Sequence, residues 1–281
     1  MLKGQKEAEM ALVLMYITNN PEVALIAEKN GVDRIWIDLE TLGKEERQKG
    51  MNTVKSQHKV EDISVIKPML STSQMLVRIN PWNMNSVREI DDVIDAGADI
   101  IMLPMWKKVE EVSNFLKAVN GRCKTTLLLE TKEAVECLDE VLLMGGMDEI
   151  HIGLNDLHLA YGMKFMFELL TDGTVDRITK KIAAKGIPYG FGGIASLGCG
   201  DLPAEKVIME HYRLGSTRAI LSRSFCNADL IPETKEIESL FCRNMKALRD
   251  FEDSIRSMKD FNANHEEVIK AVNMIVNKKR D

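Results

Sequence analysis

The stretch from Thr125 to Gly162 reads TTLLLETKEAVECLDEVLLMGGMDEIHIGLNDLHLAYG and contains two short apolar runs, each closed by an acidic residue. Glu130 follows the first run, and Asp156 comes 26 residues later, after the second. An amphipathic segment follows each acid, and this spacing is close to one strand-plus-helix repeat of a (β/α)8 barrel. Carboxylates at the carboxyl ends of neighbouring parallel strands converge, and hard divalent cations are commonly held there. On the spacing alone, a helix cap at Glu130 and an ordinary loop acid at Asp156 explain the pattern equally well.

Similar apolar runs recur along the chain, and a helical pattern follows each of them. Eight such runs begin near Leu12, Arg34, Met75, Asp99, Thr125, Glu149, Pro188 and Ala219. Their continuous apolar character is typical of strands buried on both faces. The intervening helix candidates include Pro21–Lys29, Val87–Ala96, Val109–Val119 and Lys132–Met144. The pattern predicts an α/β fold, a (β/α)8 TIM barrel. An open doubly wound sheet is the weaker alternative because no glycine-rich fingerprint follows the first strand.

A short phrase, glycine followed two residues later by aspartate, precedes three of these runs. It occurs as Gly31-Val32-Asp33, Gly97-Ala98-Asp99 and Gly146-Met147-Asp148. Each glycine ends a helical pattern, which suits a helix C-cap that leads into a strand. Asn20 before Pro21 is a candidate N-cap.

Composition limits the class of protein. With 281 residues and 45% hydrophobic content, the chain can form one large domain. A net charge of −6 and a pI near 5.6 argue against a nucleic-acid binder. No apolar run reaches the ~18 residues of a membrane span, and the opening segment is a poor signal peptide. The five cysteines show no paired spacing, so we expect reduced thiols in a cytoplasmic protein.

The chain continues after the eighth strand. We therefore predict a barrel over residues 1–230 and a helical extension over residues 231–281. Apolar residues recur with helical periodicity from Ile237 to Met258 and again from Val268 to Val276. The extension would pack on the barrel or on a neighbouring subunit, and the second arrangement predicts a homo-oligomer.

From Leu12 to Phe225, the chain carries a series of motifs in a fixed order. They are NPEVALIAEKNGVDRIWIDLE, LVRIN, GADIIMLPM, the quoted stretch with its Glu-Thr and Gly-x-Asn-Asp-Leu pair, and GIPYGFGG. In order and spacing the chain resembles the HpcH/HpaI aldolase and citrate lyase β-subunit-like family of pyruvate/phosphoenolpyruvate-binding barrels.

The resemblance implies a set of roles. Glu130 and Asp156 would hold Mg²⁺ or Mn²⁺, which prefers carboxylate and water ligands. Arg78, in LVRIN, would lie near the oxyanion that develops, although a structural ion pair is the alternative for this residue. Backbone amides around Gly153 and Asn155 would receive the substrate carboxylate.

The implied activity is that of a metal-dependent carbon–carbon lyase of the class II aldolase type. It would make or cleave a 2-oxo acid through a pyruvate-type enolate, with an aldehyde as the second substrate. The alternatives are a citrate-lyase-like enzyme that acts on an acyl-CoA thioester, and a non-catalytic metabolite-binding barrel subunit.

The chain departs from the family at two positions. Thr41 stands where aldolases of this kind carry a histidine for proton transfer, in Asp38-Leu39-Glu40-Thr41, and threonine is no base near neutral pH. Leu128 replaces a common glutamine. His58, in the long connection from about Thr41 to Leu70, and Glu40 are the candidate replacements. A solvated surface histidine is the alternative for His58.

The segment Tyr189–Ile194, YGFGGI, closes the seventh strand, and Arg223 follows the eighth. Loops after these two strands frequently bind phosphate in such barrels. Gly193 and Arg223 are therefore candidates for binding a phosphorylated or carboxylated aldehyde. A tight turn that needs glycine is an equally good explanation.

Overall fold

The computed structural model describes residues 11–43 and 57–278. Within them, eight strands follow one another in chain order around a closed barrel, which confirms the predicted (β/α)8 fold. The neighbouring pairs β2–β3, β3–β4, β4–β5 and β7–β8 are parallel. The strands are β1 (Val13–Ile17), β2 (Arg34–Asp38), β3 (Gln74–Arg78), β4 (Ile100–Leu103), β5 (Lys124–Leu129), β6 (Glu149–Ile152), β7 (Tyr189–Ile194) and β8 (Arg218–Leu221). A doubly wound sheet is excluded because its strand order would reverse.

Helices separate the strands. They are α1 (Pro21–Lys29), α2 (Val60–Ile66), α3 (Ser86–Asp95), α4 (Val109–Val119), α5 (Lys132–Glu136), α6 (Leu138–Met144), α7 (Leu154–Ala160), α8 (Glu168–Thr171), α9 (Thr174–Ala183), α10 (Ala204–Leu214), α11 (Thr234–Ile255) and α12 (Asn262–Lys278), with 3-10 turns at Lys67–Met69 and Ala228–Leu230. The predicted helix Lys132–Met144 is interrupted at Cys137, whose ψ of 9° leaves the helical range. The connection after β2 contains α2, which the sequence analysis did not predict, and residues 44–56 of this connection lie outside the described residues.

The glycine–aspartate repeat marks the entry into three strands. A left-handed φ, of +86°, +110° and +89°, occurs at Gly31, Gly97 and Gly146. Glycine adopts this conformation without the steric penalty of a Cβ atom. At two of the repeats the aspartate fixes the preceding strand: Asp99 accepts the Met75 N–H at 2.7 Å, and Asp148 accepts the Thr125 N–H at 2.8 Å. The repeat therefore turns the chain and aligns neighbouring strands at their amino ends.

The chain forms two compact units. The first unit is Tyr16–His151, and the second is formed by the parts of the chain on either side of it. Every residue of β2 and β4 is buried in the first unit, as predicted for strands covered on both faces. A buried ion pair joins Arg34 to Glu149, with Nη1 to Oε1 at 2.5 Å and Nη2 to Oε2 at 3.1 Å. Thr126 also donates to Glu149, so three strands are tied together in the interior of this unit.

The second unit contains the C-terminal helices. Helix α12 packs on α10 and α8, and α11 packs on α10. Val268, Val272 and Val276 form the buried face of α12. In α11, Glu252 is buried and accepts the Leu12 N–H at 3.0 Å and the Tyr212 hydroxyl at 2.8 Å. The predicted boundary at residue 230 and the predicted homo-oligomer both stay predictions. No helix in the described part of the chain is long and apolar enough to cross a membrane.

Candidate active site

A salt bridge joins the carboxyl ends of β2 and β3. Asp38 and Arg78 are register partners in the parallel ladder, so their side chains lie side by side. Arg78 donates from Nε to Oδ1 of Asp38 and from Nη2 to Oδ2, both at 2.8 Å. The Arg78 Cζ atom also lies 5.2 Å from the centroid of the Trp36 ring, within cation–π range. This bidentate contact with an aromatic face beneath it fixes the plane of the guanidinium group.

Two further carboxylates surround the same guanidinium group. Glu40 Oε2 lies 3.3 Å from Nη1 of Arg78, and Glu130 is close enough to act on its charge. Burial lowers the pKa of Arg78, but Asp38, followed by Glu40 and Glu130, outweighs this effect and raises the pKa above its ordinary value. We call these four residues the carboxylate–arginine cluster.

The carboxyl groups of the cluster are buried. The exposed fractions of Asp38, Glu40 and Glu130 are 3%, 2% and 3%. Three buried carboxyl groups surround one guanidinium group. Buried carboxylates are costly unless they are paired or hydrogen-bonded, and the contacts with Arg78 supply part of this pairing.

Arg78 keeps donor capacity beyond these contacts. A guanidinium group has five N–H bonds, and the contacts to Asp38 and Glu40 use three of them. One N–H on Nη1 and one on Nη2 remain outside these contacts. The structure shows Arg78 in ion pairs, which is the alternative interpretation of this residue, and its role near an oxyanion stays a prediction.

Glu130 is positioned by the loop that follows β4. The Met105 N–H donates to Glu130 Oε1 at 3.1 Å, and Met105 has a left-handed φ of +53°. A non-glycine residue with this φ is under strain, which only a well-determined surrounding structure maintains. Thr131, the N-cap of α5, donates to the Trp106 carbonyl at 2.8 Å and accepts the Ala134 N–H. The end of β5 is therefore held rigidly on the side of the β4 loop.

Thr41 has a structural role. Asn80 Oδ1 accepts the N–H groups of Thr41 and Leu42, both at 2.9 Å, and lies 3.2 Å from the Thr41 hydroxyl. Asn80 in turn donates to Glu89 from its backbone and its side chain. Burial raises the pKa of Glu89, although the two bonds from Asn80 act in the opposite direction. Asn80 thus holds the chain after Glu40 in place.

His58 returns to the end of β2. The backbone N–H of Asp38 donates to Nδ1 of His58 at 3.0 Å, and the imidazole ring is half-buried. The sequence analysis selected Arg78, Glu40 and His58, and the structure brings all three together around Asp38. It did not select Asp38. The available signal was its place at the end of β2, two residues before Glu40 on the same strand end.

The remaining predicted residues belong to the second unit. Gly153 precedes α7, Asn155 is exposed, and Asp156 is half-buried in the first turn of this helix. Gly192 lies against α7, because a Cβ atom there would meet Leu154 Cδ1 at 2.8 Å. Glu130 and Asp156 belong to different units, and their joint role as metal ligands stays a prediction. Among the described residues, no group of three or more His, Cys, Asp or Glu is arranged to hold a metal ion.

Gly193 lies near the end of β7, and Arg223 follows β8. A Cβ atom on Gly193 would meet its nearest neighbours at 3.5 Å, so this glycine is not required for packing. Arg223 is exposed at the start of the turn after β8. The Ser222 N–H donates to the Ile194 carbonyl at 2.9 Å, which joins the two strand ends. An anion-binding role for Gly193 and Arg223 remains a prediction.

Comparisons with known proteins agree with this architecture. The family profile of the HpcH/HpaI aldolase/citrate lyase group matches residues 12–185, more than half of the chain. No curated protein was found to match. Among solved structures, the HpcH/HpaI aldolase from Desulfitobacterium hafniense DCB-2 superposes with a TM-score of 0.56 at 18% identity and covers 79% of this chain and 90% of its own.

Two enzymes with other names share the fold. Citrate synthase SbnG superposes with a TM-score of 0.59 at 18% identity, over 82% of this chain and 94% of its own. Macrophomate synthase superposes with a TM-score of 0.54 at 17% identity, over 78% of this chain and 79% of its own. Similarity at this level of identity establishes the fold and leaves the reaction to be argued from the site.

Proposed function

Because the chain belongs to the HpcH/HpaI aldolase/citrate lyase family, we propose that it is a divalent-metal-dependent carbon–carbon lyase. It would form or cleave a 2-oxo acid through a pyruvate-type enolate. The carboxylate–arginine cluster carries the proposal. It joins a permanently charged guanidinium group, which has N–H donors beyond its contacts, to three buried carboxyl groups, and Glu130 among them is a suitable oxygen ligand for a hard cation.

Glu130 and Asp156 would hold Mg²⁺ or Mn²⁺. Glu130 is supported by its burial and by the Met105 amide that fixes it. Asp156 is proposed from its position in the Gly-x-Asn-Asp-Leu motif, at the start of the helix Leu154–Ala160. When bound, the metal would polarise the keto oxygen of the 2-oxo acid.

Side chains and backbone amides of the protein would bind the substrate and stabilise the enolate. Arg78 would donate its two remaining N–H bonds to the oxygen that becomes negative in the enolate. Its bidentate contact with Asp38 would hold those donors in place, so little reorganisation is needed as charge develops. Glu40 would share in fixing Nη1. Amides near Gly153 and Asn155 would bind the substrate carboxylate, and Gly193 and Arg223 would bind an anionic group of the aldehyde.

The exchange of pyruvate methyl protons for deuterium tests the proposal, because it reports the enolate without the unknown aldehyde. With Mg²⁺ or Mn²⁺ in D2O, we expect methyl deuteration by NMR that disappears with EDTA. Glu130→Gln should lower the exchange rate on the order of a hundredfold or more. Glu133→Gln is the matched control, because Glu133 is only three residues away but is half-exposed and pairs with Lys107; it should exchange normally.

Other outcomes would redirect the assignment. If deuterium entered the acetyl group of an acyl-CoA and not pyruvate, the substrate would be assigned as a thioester in place of a 2-oxo acid. No exchange into either compound with either metal would contradict the lyase and favour a metabolite-binding barrel. Equal Mn²⁺ affinity in wild type and Glu130→Gln would contradict the metal assignment, whatever the activity.

A further inference from the structure

Trp36 lies against the guanidinium group of Arg78, and the proposed function gives this tryptophan no role. It precedes Asp38 by two residues on β2, so both side chains point to the same face of the strand. Its exposed fraction is 2%, and the Cζ atom of Arg78 lies 5.2 Å from the centroid of its ring. The guanidinium group is therefore held at one edge by the bidentate contact with Asp38 and rests on the face of the indole ring.

The indole N–H of Trp36 contributes nothing to this arrangement. Nε1 is buried, and no atom within the described residues accepts its hydrogen. A buried donor without an acceptor lowers stability, so the N–H does not explain a tryptophan at this position. The ring face does explain it, because a cation is attracted to an aromatic face, most strongly where both are shielded from water. Arg78 meets this condition, since its side chain is only 13% exposed.

The orientation of Arg78 matters for the proposed chemistry. Its N–H bonds lie in the plane of the guanidinium group, so a tilt of that plane changes the direction of every donor at once. One N–H on Nη1 and one on Nη2 lie outside the contacts with Asp38 and Glu40. Such donors stabilise a developing negative charge best when they already point at the oxygen that will carry it. Loss of the ring beneath Arg78 would therefore weaken this stabilisation even where the ion pair remains.

We infer that Trp36 is a positioning residue: its ring face holds the plane of Arg78, so that the two remaining donors point at the oxyanion of the enolate. This inference rests on the proposed function and deepens it. Trp36 itself makes no contact with the substrate, and its effect is transmitted through Arg78 alone.

Two substitutions separate the ring face from the indole N–H. Trp36→Phe keeps an aromatic face and removes the N–H, whereas Trp36→Leu removes both. Pyruvate exchange should stay within about threefold of wild type in Trp36→Phe and fall on the order of tenfold or more in Trp36→Leu. The loss should appear in kcat, with KM for pyruvate within about twofold of wild type. Phe115→Leu is the matched control for loss of a buried aromatic ring, because Phe115 lies in α4 and is fully buried; its exchange should be normal.

A double-mutant cycle tests whether Trp36 acts through Arg78. The ammonium group of Arg78→Lys is a point charge and has no plane for a ring to fix. Trp36→Leu should therefore change the exchange rate by less than about twofold in the Arg78→Lys background. The full loss in that background would overturn the inference, and so would equal losses in Trp36→Phe and Trp36→Leu.

The contact can also be measured without any activity. Protons held over an aromatic face resonate upfield, so NMR of arginine-labelled protein, without metal or pyruvate, should show upfield side-chain signals for Arg78. These shifts should persist in Trp36→Phe and disappear in Trp36→Leu, and their absence from wild type would overturn the inference. No pyruvate exchange by the wild type would instead overturn the proposed function, and with it the role of Trp36 toward the enolate. Exchange by the wild type that Trp36→Leu leaves unchanged would overturn only the assignment of Trp36.

Discussion

Replacing Asp38 by asparagine tests how much the Asp38–Arg78 ion pair of the carboxylate–arginine cluster contributes to stability. The change removes one negative charge. It also replaces the Oδ2 acceptor by an NH2 group, so that two donors, this group and Nη2 of Arg78, face each other at about 2.8 Å. Asparagine keeps an acceptor at Oδ1 for Nε of Arg78 and for the Glu40 N–H. Breaking a buried ion pair costs roughly 3–5 kcal/mol. We expect the low end, about 3 kcal/mol, because asparagine keeps the Oδ1 acceptor for Arg78 and Glu40.

Urea unfolding measures this loss. With a slope of about 3 kcal/mol per molar urea, the midpoint should fall by about 1 M. Glu40→Gln is the matched control, since it removes the same charge from the same buried cluster but changes a single, longer contact with Arg78, at 3.3 Å. It should cost about 1 kcal/mol. A loss in Asp38→Asn no larger than that in Glu40→Gln would show that the bidentate geometry contributes nothing beyond charge.

Two more predictions concern stability. Glu28 accepts the N–H groups of Ser71, Thr72 and Ser73; burial raises its pKa, but these bonds outweigh burial and lower it. The Glu28 carboxylate therefore stabilises the fold above the ordinary glutamate pKa, and this contribution is lost as pH falls through the lowered pKa. We expect Glu28→Gln to cost on the order of 1 kcal/mol at neutral pH. In unfolding measurements at decreasing pH, the stability of this variant should approach that of wild type. A Cβ atom on Gly190 would lie 2.3 Å from the Arg218 carbonyl oxygen, whereas one on Gly193 would lie 3.5 Å from its nearest atom. Gly190→Ala should cost about 3 kcal/mol and Gly193→Ala less than about 1 in the same unfolding assay, and equal costs would contradict the close approach of β7 and β8.

The fold could be predicted because its signals are local. Apolar runs, glycines with left-handed φ and an N-cap recur at regular intervals, and every predicted strand begins within one residue of the observed one. The Asn20 cap accepts the N–H groups of Glu22 and Val23, as its position before Pro21 predicts. The break at Cys137 was not predictable in the same way. The apolar periodicity continues through that point, and only the backbone departs from the helix.

The site was predictable only in part, because contacts between strands depend on register. Arg78 and Glu40 could be selected because each is a charged residue at the end of a predicted strand, and both lie in the cluster. Asp38 was missed because its importance comes from standing opposite Arg78 in the β2–β3 ladder. His58 was a candidate base, but its bond to the Asp38 amide joins residues 20 positions apart and has no signal in the sequence. Met105 carries no sequence signal at all, since any residue other than proline supplies the N–H that holds Glu130.

Thr41 in place of a histidine favours a barrel without catalytic activity, and the energetics of the cluster are the argument against that interpretation. Apolar side chains of similar volume usually match or exceed the stability of a buried ion pair. Three carboxyl groups buried around a single guanidinium group are likewise a costly way to stabilise a fold. In the proposed function they would hold a guanidinium donor in place beside a cation, and Asn80 and His58 fix the end of β2 around Thr41.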